Sequence, residues 1–214
     1  EALEWSHPLE GLAYRLYHGD CADLLFGYEP GSIDAIITDP PYPEEYLDLY
    51  GALAEGAARV LKPGGHCLVM TGQAHLADVL GHMDAHLHYQ WTLAYLTPGQ
   101  STQVFGRRVK SNWKPVLWYT NGPHEWEHVG DTVRSDENDK RFHEWGQSVA
   151  GIGSLVDRFT VRGHVVMDPF CGAGTTGVAC VAGQRLFVGI DVDEACVRTA
   201  AQRLQEVSEQ LGAA

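Results

Sequence analysis

The stretch that most constrains the fold runs Val165-Val166-Met167-Asp168-Pro169-Phe170-Cys171-Gly172-Ala173-Gly174-Thr175-Thr176-Gly177 and continues to Leu186-Phe187-Val188-Gly189-Ile190-Asp191. An apolar run enters a glycine-rich bend, small residues open a helix over 176–182, and a second apolar run ends on an acid. Two strands joined through a helix lie parallel in one sheet, since the crossover returns the chain to the same edge. Gly172 and Gly174 let the backbone approach a ligand, and the helix N-terminus offers unpaired N–H groups. Gly172, Gly174 and Gly177 also fit the Gly-x-Gly-x-x-Gly pattern, a match that is weak alone. Asp191 then stands where a carboxylate binds ribose hydroxyls. Such a unit is the nucleoside-binding half of a doubly wound sheet.

A second strand end makes the other half. Ile33-Asp34-Ala35-Ile36-Ile37-Thr38 reads as a buried strand, and Asp39-Pro40-Pro41-Tyr42 stops it, because neither proline has an N–H for a ladder. The turn presents a carboxylate, a fixed carbonyl and an aromatic ring at a carboxyl strand end, the edge where open α/β sheets bind ligands. An exocyclic amino group on a base is a poor nucleophile because its lone pair is delocalised into the ring. Two acceptors holding its hydrogens favour a pyramidal nitrogen, and an aromatic side chain can stack on a base drawn out of its helix. A plain Pro-Pro turn capping the next helix is the alternative reading of the tetrapeptide.

Together, and in this order, the motifs resemble those of the DNA amino-methyltransferases that use S-adenosylmethionine, in the permuted (beta-class) group whose catalytic tetrapeptide precedes the cofactor loop. Gly19-Asp20, Thr38 to Tyr42, Leu61-Lys62-Pro63-Gly64-Gly65, Asp168 to Thr176 and Gly189-Ile190-Asp191 carry the resemblance. It implies methyl transfer to adenine N6 or cytosine N4 in DNA, with the Asp form of the tetrapeptide commoner among adenine enzymes. The catalytic group would be Asp39, Pro40, Pro41 and Tyr42. Cofactor contacts would come from Asp168, Phe170, Cys171, Gly172, Ala173, Gly174, Thr175, Thr176, Asp191 and Val192. Asp20 would lie near the cofactor adenine, or else cap the following helix. The segment before the cofactor strand often reads His-x-x-x-Lys-Pro in that family; here the Lys-Pro pair is missing, and Gln147 and Ser148 stand in its place as candidate hydrogen-bond partners of the cofactor, a capping segment being the alternative.

A chain of 214 residues suits one domain with a sizeable core. We expect a catalytic half over 14–120, a recognition or mobile insertion over about 97–142, and a cofactor half over 143–214. No stretch approaches a membrane span and no signal sequence is evident. Cys21, Cys67, Cys171, Cys180 and Cys196 have no paired spacing, so neither a zinc site nor a disulfide framework is expected, and a reducing cytoplasm is. His66, His75, His82, His86 and His88 match no ligand pattern and read as surface or capping residues, so no metal is expected.

The formal net charge of −13 sits badly with DNA as a partner, because phosphate contacts dominate affinity. The segment from Thr97 to Pro115 is the counterweight: it holds Arg107, Arg108, Lys110 and Lys114 and no acid. Amides and Trp113 interleave with those cations, as in a loop that tracks phosphates, a plain solvated hairpin being the alternative. Residues 121–141 are polar and aperiodic, and short for sequence recognition. The chain therefore reads a short site or leans on the second subunit of a homodimer. Strands are expected near 14–18, 33–38, 66–71, 91–96, 116–120, 164–168 and 186–190, with a helix over 44–61 ended by Lys62-Pro63-Gly64-Gly65. This is an α/β, mainly parallel seven-stranded sheet of Rossmann-like methyltransferase type in permuted order.

Overall fold

The computed structural model describes residues 13–97, 101–135 and 149–212. Its strands are β1 (Tyr14–His18), β2 (Ile33–Thr38), β3 (Leu61–Met70), β4 (His88–Leu96), β5 (Thr102–Val104), β6 (Val109–Ser111), β7 (Trp113–Thr120), β8 (Thr132–Arg134), β9 (Val165–Asp168) and β10 (Leu186–Asp191). The helices are α1 (Cys21–Gly27), α2 (Leu47–Val60), α3 (Leu76–Asp84), α4 (Val149–Phe159), α5 (Thr175–Ala182) and α6 (Glu194–Gly212). The main sheet has the order β1-β10-β9-β2-β3-β7-β4-β8, and β5 and β6 form a separate hairpin. β1, β10, β9, β2 and β3 are mutually parallel, whereas β7 runs against β3 and β4.

Both faces of this sheet are covered, and its strands divide their residues between two cores. Cys67 and Val69 pack with α1, α2 and α3, while Leu68 and Met70 pack with α4, α5 and α6. The same alternation places Met167 on the first side and Val166 on the second, following the period of two along a strand. The doubly wound, mainly parallel expectation holds. The strand count does not: among the described residues the main sheet has eight strands, because Thr132–Arg134 pairs parallel to β4 from Ala94 to Leu96. Three residues carry no periodicity, and Val133 alone is buried.

The Lys62-Pro63-Gly64-Gly65 stretch is a second correction. The helix is α2, entered through a 3-10 turn at Glu44–Tyr46, and it ends at Val60. Leu61 already begins β3, whose first half bulges against β2 between Ile33 and Ala35. Gly64 N–H donates to the Asn121 carbonyl at 2.7 Å and Asn121 N–H to the Gly65 carbonyl at 2.9 Å, so glycines expected to stop a helix serve a strand. The last helix runs from Glu194 to Gly212.

Among the described residues no helix is long and apolar enough to cross a membrane. No group of three or more His, Cys, Asp or Glu there could hold a metal ion. His66 is neither surface nor cap. It is buried beside Trp118, Trp126 and Phe159, and burial, with His124 and His164 adding repulsion, holds its pKa down to about 4. Residues 1–12 and Gln147 and Ser148 lie outside the described residues, so the N-terminal tail and those two candidate contacts have no structural account.

Candidate active site

The site forms where the winding of the sheet reverses. From β9 the chain crosses through α5 to β10 on one side, and from β2 it crosses through α2 to β3 on the other. A crevice opens at such a switch point, outside the carboxyl ends of the two strands. Asp39 follows β2, Asp168 ends β9, Asp191 ends β10 and Asp20 follows β1, so four acids stand in succession along one rim. Thr38 Oγ1 donates to Asp168 Oδ1 at 2.6 Å across that switch, 130 residues apart in sequence. The far end of the same strand pair is tied too, by the Val165 N–H to Asp34 Oδ2 at 2.8 Å and by Lys62 Nζ to Asp34 Oδ1 at 2.5 Å.

Asp168 is buried, and burial pushes its carboxyl up to about 6, with Asp39 adding repulsion. Hydrogen bonds from Thr38, Thr176 and the Phe170 N–H pull it back down. The carboxylate thus joins β2, β9 and α5. Its folded-state pKa lies above the unfolded value of about 3.9, so the folded protein binds more protons between about pH 4 and 6. Stability therefore falls as pH rises through that window, by up to about 3 kcal/mol. Asp168→Asn keeps an oxygen for Thr38 and Phe170 and should flatten this part of the melting-temperature profile. An unaltered profile would assign it to other groups.

The glycine bend is held from behind. Gly172 has φ +48° and Gly174 φ +77°. Arg203, buried on α6, donates to the Ala173 carbonyl at 2.6 Å and to Thr175 Oγ1 at 3.3 Å. Asp191 Oδ2 accepts from the Gly172 N–H at 2.7 Å and Oδ1 from the Asp193 N–H at 2.9 Å. Val192, 74% exposed, follows it on the rim. Asp20 Oδ1 accepts from the Ala22 N–H at 2.8 Å, so it caps α1. Cys171 is buried, and burial raises its thiol pKa far above the ordinary value, which keeps it an inert thiol.

On the other side of the crevice, Pro40 is buried in the turn and Tyr50 Oη reaches the Pro41 carbonyl at 3.4 Å and Thr71 Oγ1 at 3.2 Å. The Tyr42 hydroxyl donates to Asp39 Oδ1, and Lys114 Nζ sits 5.1 Å from the centre of the Tyr42 ring. Thr38, Tyr50, Thr71 and Arg203 carry no local signal of these roles, since each acts on a segment distant in sequence. Lys114, expected in the basic loop, is returned by strand register to the Asp-Pro-Pro-Tyr corner. Because β7 is antiparallel to β3, its start lies at the rim where β3 ends, and Lys114 pairs with Tyr95. Arg107, Arg108 and Lys110 stay exposed on the β5–β6 hairpin above this rim. Arg107 donates to the Ala74 carbonyl at 3.0 Å, and Gln73 Nε2 to Ser111 Oγ and the Trp113 carbonyl at 3.1 Å each, which seats the hairpin beside the corner.

The N6_N4_Mtase family model, described as DNA methylase, matches residues 125–202. YubD of Escherichia coli (strain K12) is 25% identical over 226 residues, which cover 94% of this chain and 95% of its own. The type II methyltransferase M.HpaI of Haemophilus parainfluenzae is 23% identical over 235 residues, covering 89% and 74%. Among solved structures, M1.HpyAVI in complex with SAM gives a TM-score of 0.77 at 22% identity, covering 89% of this chain and 98% of that one. The cytosine-N4-specific PvuII DNA methyltransferase gives 0.78 at 16% identity, covering 93% and 92%. The matched segment and the near full-length relatives make the chain similar to DNA methyltransferases, and the solved structures show that it shares their fold.

Proposed function

We propose that this protein methylates the exocyclic amino group of a base turned out of DNA, adenine N6 in preference to cytosine N4. The observation that carries the reading is the Thr38–Asp168 hydrogen bond, which sets the Asp-Pro-Pro-Tyr corner beside the glycine bend across the switch point. The Asp form of the tetrapeptide favours adenine. The likeness to the cytosine-N4-specific PvuII enzyme keeps cytosine as the second reading.

The residues at the bend fit S-adenosylmethionine. A Cβ built on Gly172 would meet nothing within 4 Å, so the bend opens onto free space where a ligand can touch its backbone. Asp191 is fixed by two backbone N–H groups at the strand end and would hold the ribose hydroxyls, while exposed Val192 would offer an apolar surface to the purine. When bound, the cofactor supplies an electrophilic methyl group on a sulfonium. The protein's part is positioning and electrostatics. Asp39 and the Pro40 carbonyl would accept hydrogen bonds from the two N–H groups of the target amine and so favour a localised lone pair. Tyr42 releases Asp39 and stacks on the extruded base, which offsets an unstacking cost of a few kcal/mol.

Purified protein incubated with DNA and tritiated S-adenosylmethionine should label the DNA, and digestion to nucleosides should release methyladenine. Methylcytosine would select the second reading, and unlabelled DNA would refute both. The basic hairpin gives a separate expectation. Replacing Arg107, Arg108 and Lys110 with Gln should weaken DNA binding and flatten the plot of log affinity against log salt by about 2–3. An unchanged slope would remove the hairpin from the interface.

A further inference from the structure

The irregular stretch from Pro123 to Asp131 lies away from the Asp-Pro-Pro-Tyr corner and is held by hydrogen bonds of its own. Trp126 Nε1 donates to the Arg158 carbonyl at 2.7 Å, and Arg158 in turn donates to the carbonyls of Gly130 at 2.9 Å and Thr132 at 2.8 Å. The Trp126 N–H donates to His124 Nδ1 at 3.1 Å. Between this segment and the paired residues Trp91 and Trp118 lies a cavity of about 490 Å³. That volume falls in the range of small-molecule sites. It lies toward the opposite end of β4 from the catalytic rim, roughly 17 Å along the strand from Trp91 to Leu96.

Three tryptophans line the cavity, and each has its indole N–H committed elsewhere. Trp118 donates to His66 Nδ1 at 3.2 Å, Trp126 to Arg158, and Trp91 to Asp131 Oδ2 at 3.4 Å. What the rings offer a guest is therefore their carbon framework. Glu127 and Asp131 complete the wall, and among the described residues no lysine or arginine lines it. Trp91 remains 54% exposed, although a tryptophan rarely faces water without a partner. Aromatic rings beside carboxylates select positive charge on an apolar body, through the ring quadrupole, and the neighbouring Arg158 guanidinium is engaged by the Gly130 and Thr132 carbonyls.

We propose that this cavity binds a small organic cation of the quaternary or alkyl-ammonium class. Binding is independent of methyl transfer, and its test uses the full chain labelled with 15N at the indole nitrogens. Choline should shift the indole N–H resonances of Trp91, Trp118 and Trp126 saturably, leaving that of Trp113 in place. Its neutral carbon isostere 3,3-dimethylbutan-1-ol should bind roughly tenfold more weakly or not at all. The Glu127→Gln, Asp131→Asn double variant, both positions being exposed, should keep its fold and lose several-fold in choline affinity. Equal binding of choline and the alcohol would make the cavity merely apolar and overturn the proposal. So would shifts that rise linearly with choline, as added salt gives, or an unchanged affinity in the double variant.

Discussion

Asp39→Ala should lower the rate of methyl transfer by about a thousandfold or more and leave S-adenosylmethionine binding within a few-fold. The expectation follows from where the carboxylate stands. Asp39 belongs to the corner proposed to hold the acceptor amine, and it accepts a hydrogen bond from Tyr42 on its own turn. Losing one preorganised hydrogen-bonding group in a dry site costs about 10²–10³ in rate, and Asp39 also carries the charge that draws the amine hydrogens. Asp39→Asn keeps an acceptor oxygen without the charge and should fall between the two. Isothermal titration with the cofactor beside a tritium-transfer assay reads both quantities. If cofactor affinity collapses with activity, the tetrapeptide serves the wrong substrate in our scheme.

Gly174→Ala should cost about 3 kcal/mol of stability, whereas Gly172→Ala should cost about 1 and act on ligand affinity instead. Both glycines have positive φ, which charges any side chain roughly 1–2 kcal/mol. They part company in what surrounds them. A Cβ at position 174 would lie 2.8 Å from the Ala200 Cβ and 3.0 Å from its Cα, so α6 must move away from the bend. Overpacking of that kind adds about 1–3 kcal/mol. At position 172 the methyl would point into open space, where the ligand's backbone contacts are expected. Urea melts should separate the pair, with Gly174→Ala unfolding early and Gly172→Ala near the parent. Equal midpoints would mean that α6 yields easily. Unimpaired cofactor binding by Gly172→Ala would move the ligand off the bend.

Much of this architecture was legible because some residues constrain the backbone locally. Two prolines after Thr38 end a strand wherever it lies, and glycines between an apolar run and a small-residue helix mark a close approach. The acids at 20, 39, 168 and 191 were readable as strand-end residues for the same reason. What escaped depends on partners distant in the chain. Nothing near Thr132 announces that three residues will extend a sheet through β4. Pro63-Gly64-Gly65 has the composition of a stop, and only its pairing with Asn121 makes it strand. Lys114 looked like one more cation of a phosphate-tracking loop until antiparallel register placed its ammonium on Tyr42. Histidine spacing said nothing about burial, so His66 in its aromatic nest was invisible. Arg203 was just an arginine on a helix, though it braces the bend through the Ala173 carbonyl.

The hydrogen bond between Thr38 and Asp168 has a bearing on how the molecule comes into being. Its partners are separated by 130 residues, so the crevice depends on a long-range closure that local structure cannot anticipate. During synthesis the tetrapeptide leaves the ribosome well before the strand that must lie beside it. Until that strand docks, β2 has a bare edge and its acidic corner no counterpart. A nascent chain of this design therefore stays chemically silent until late in translation.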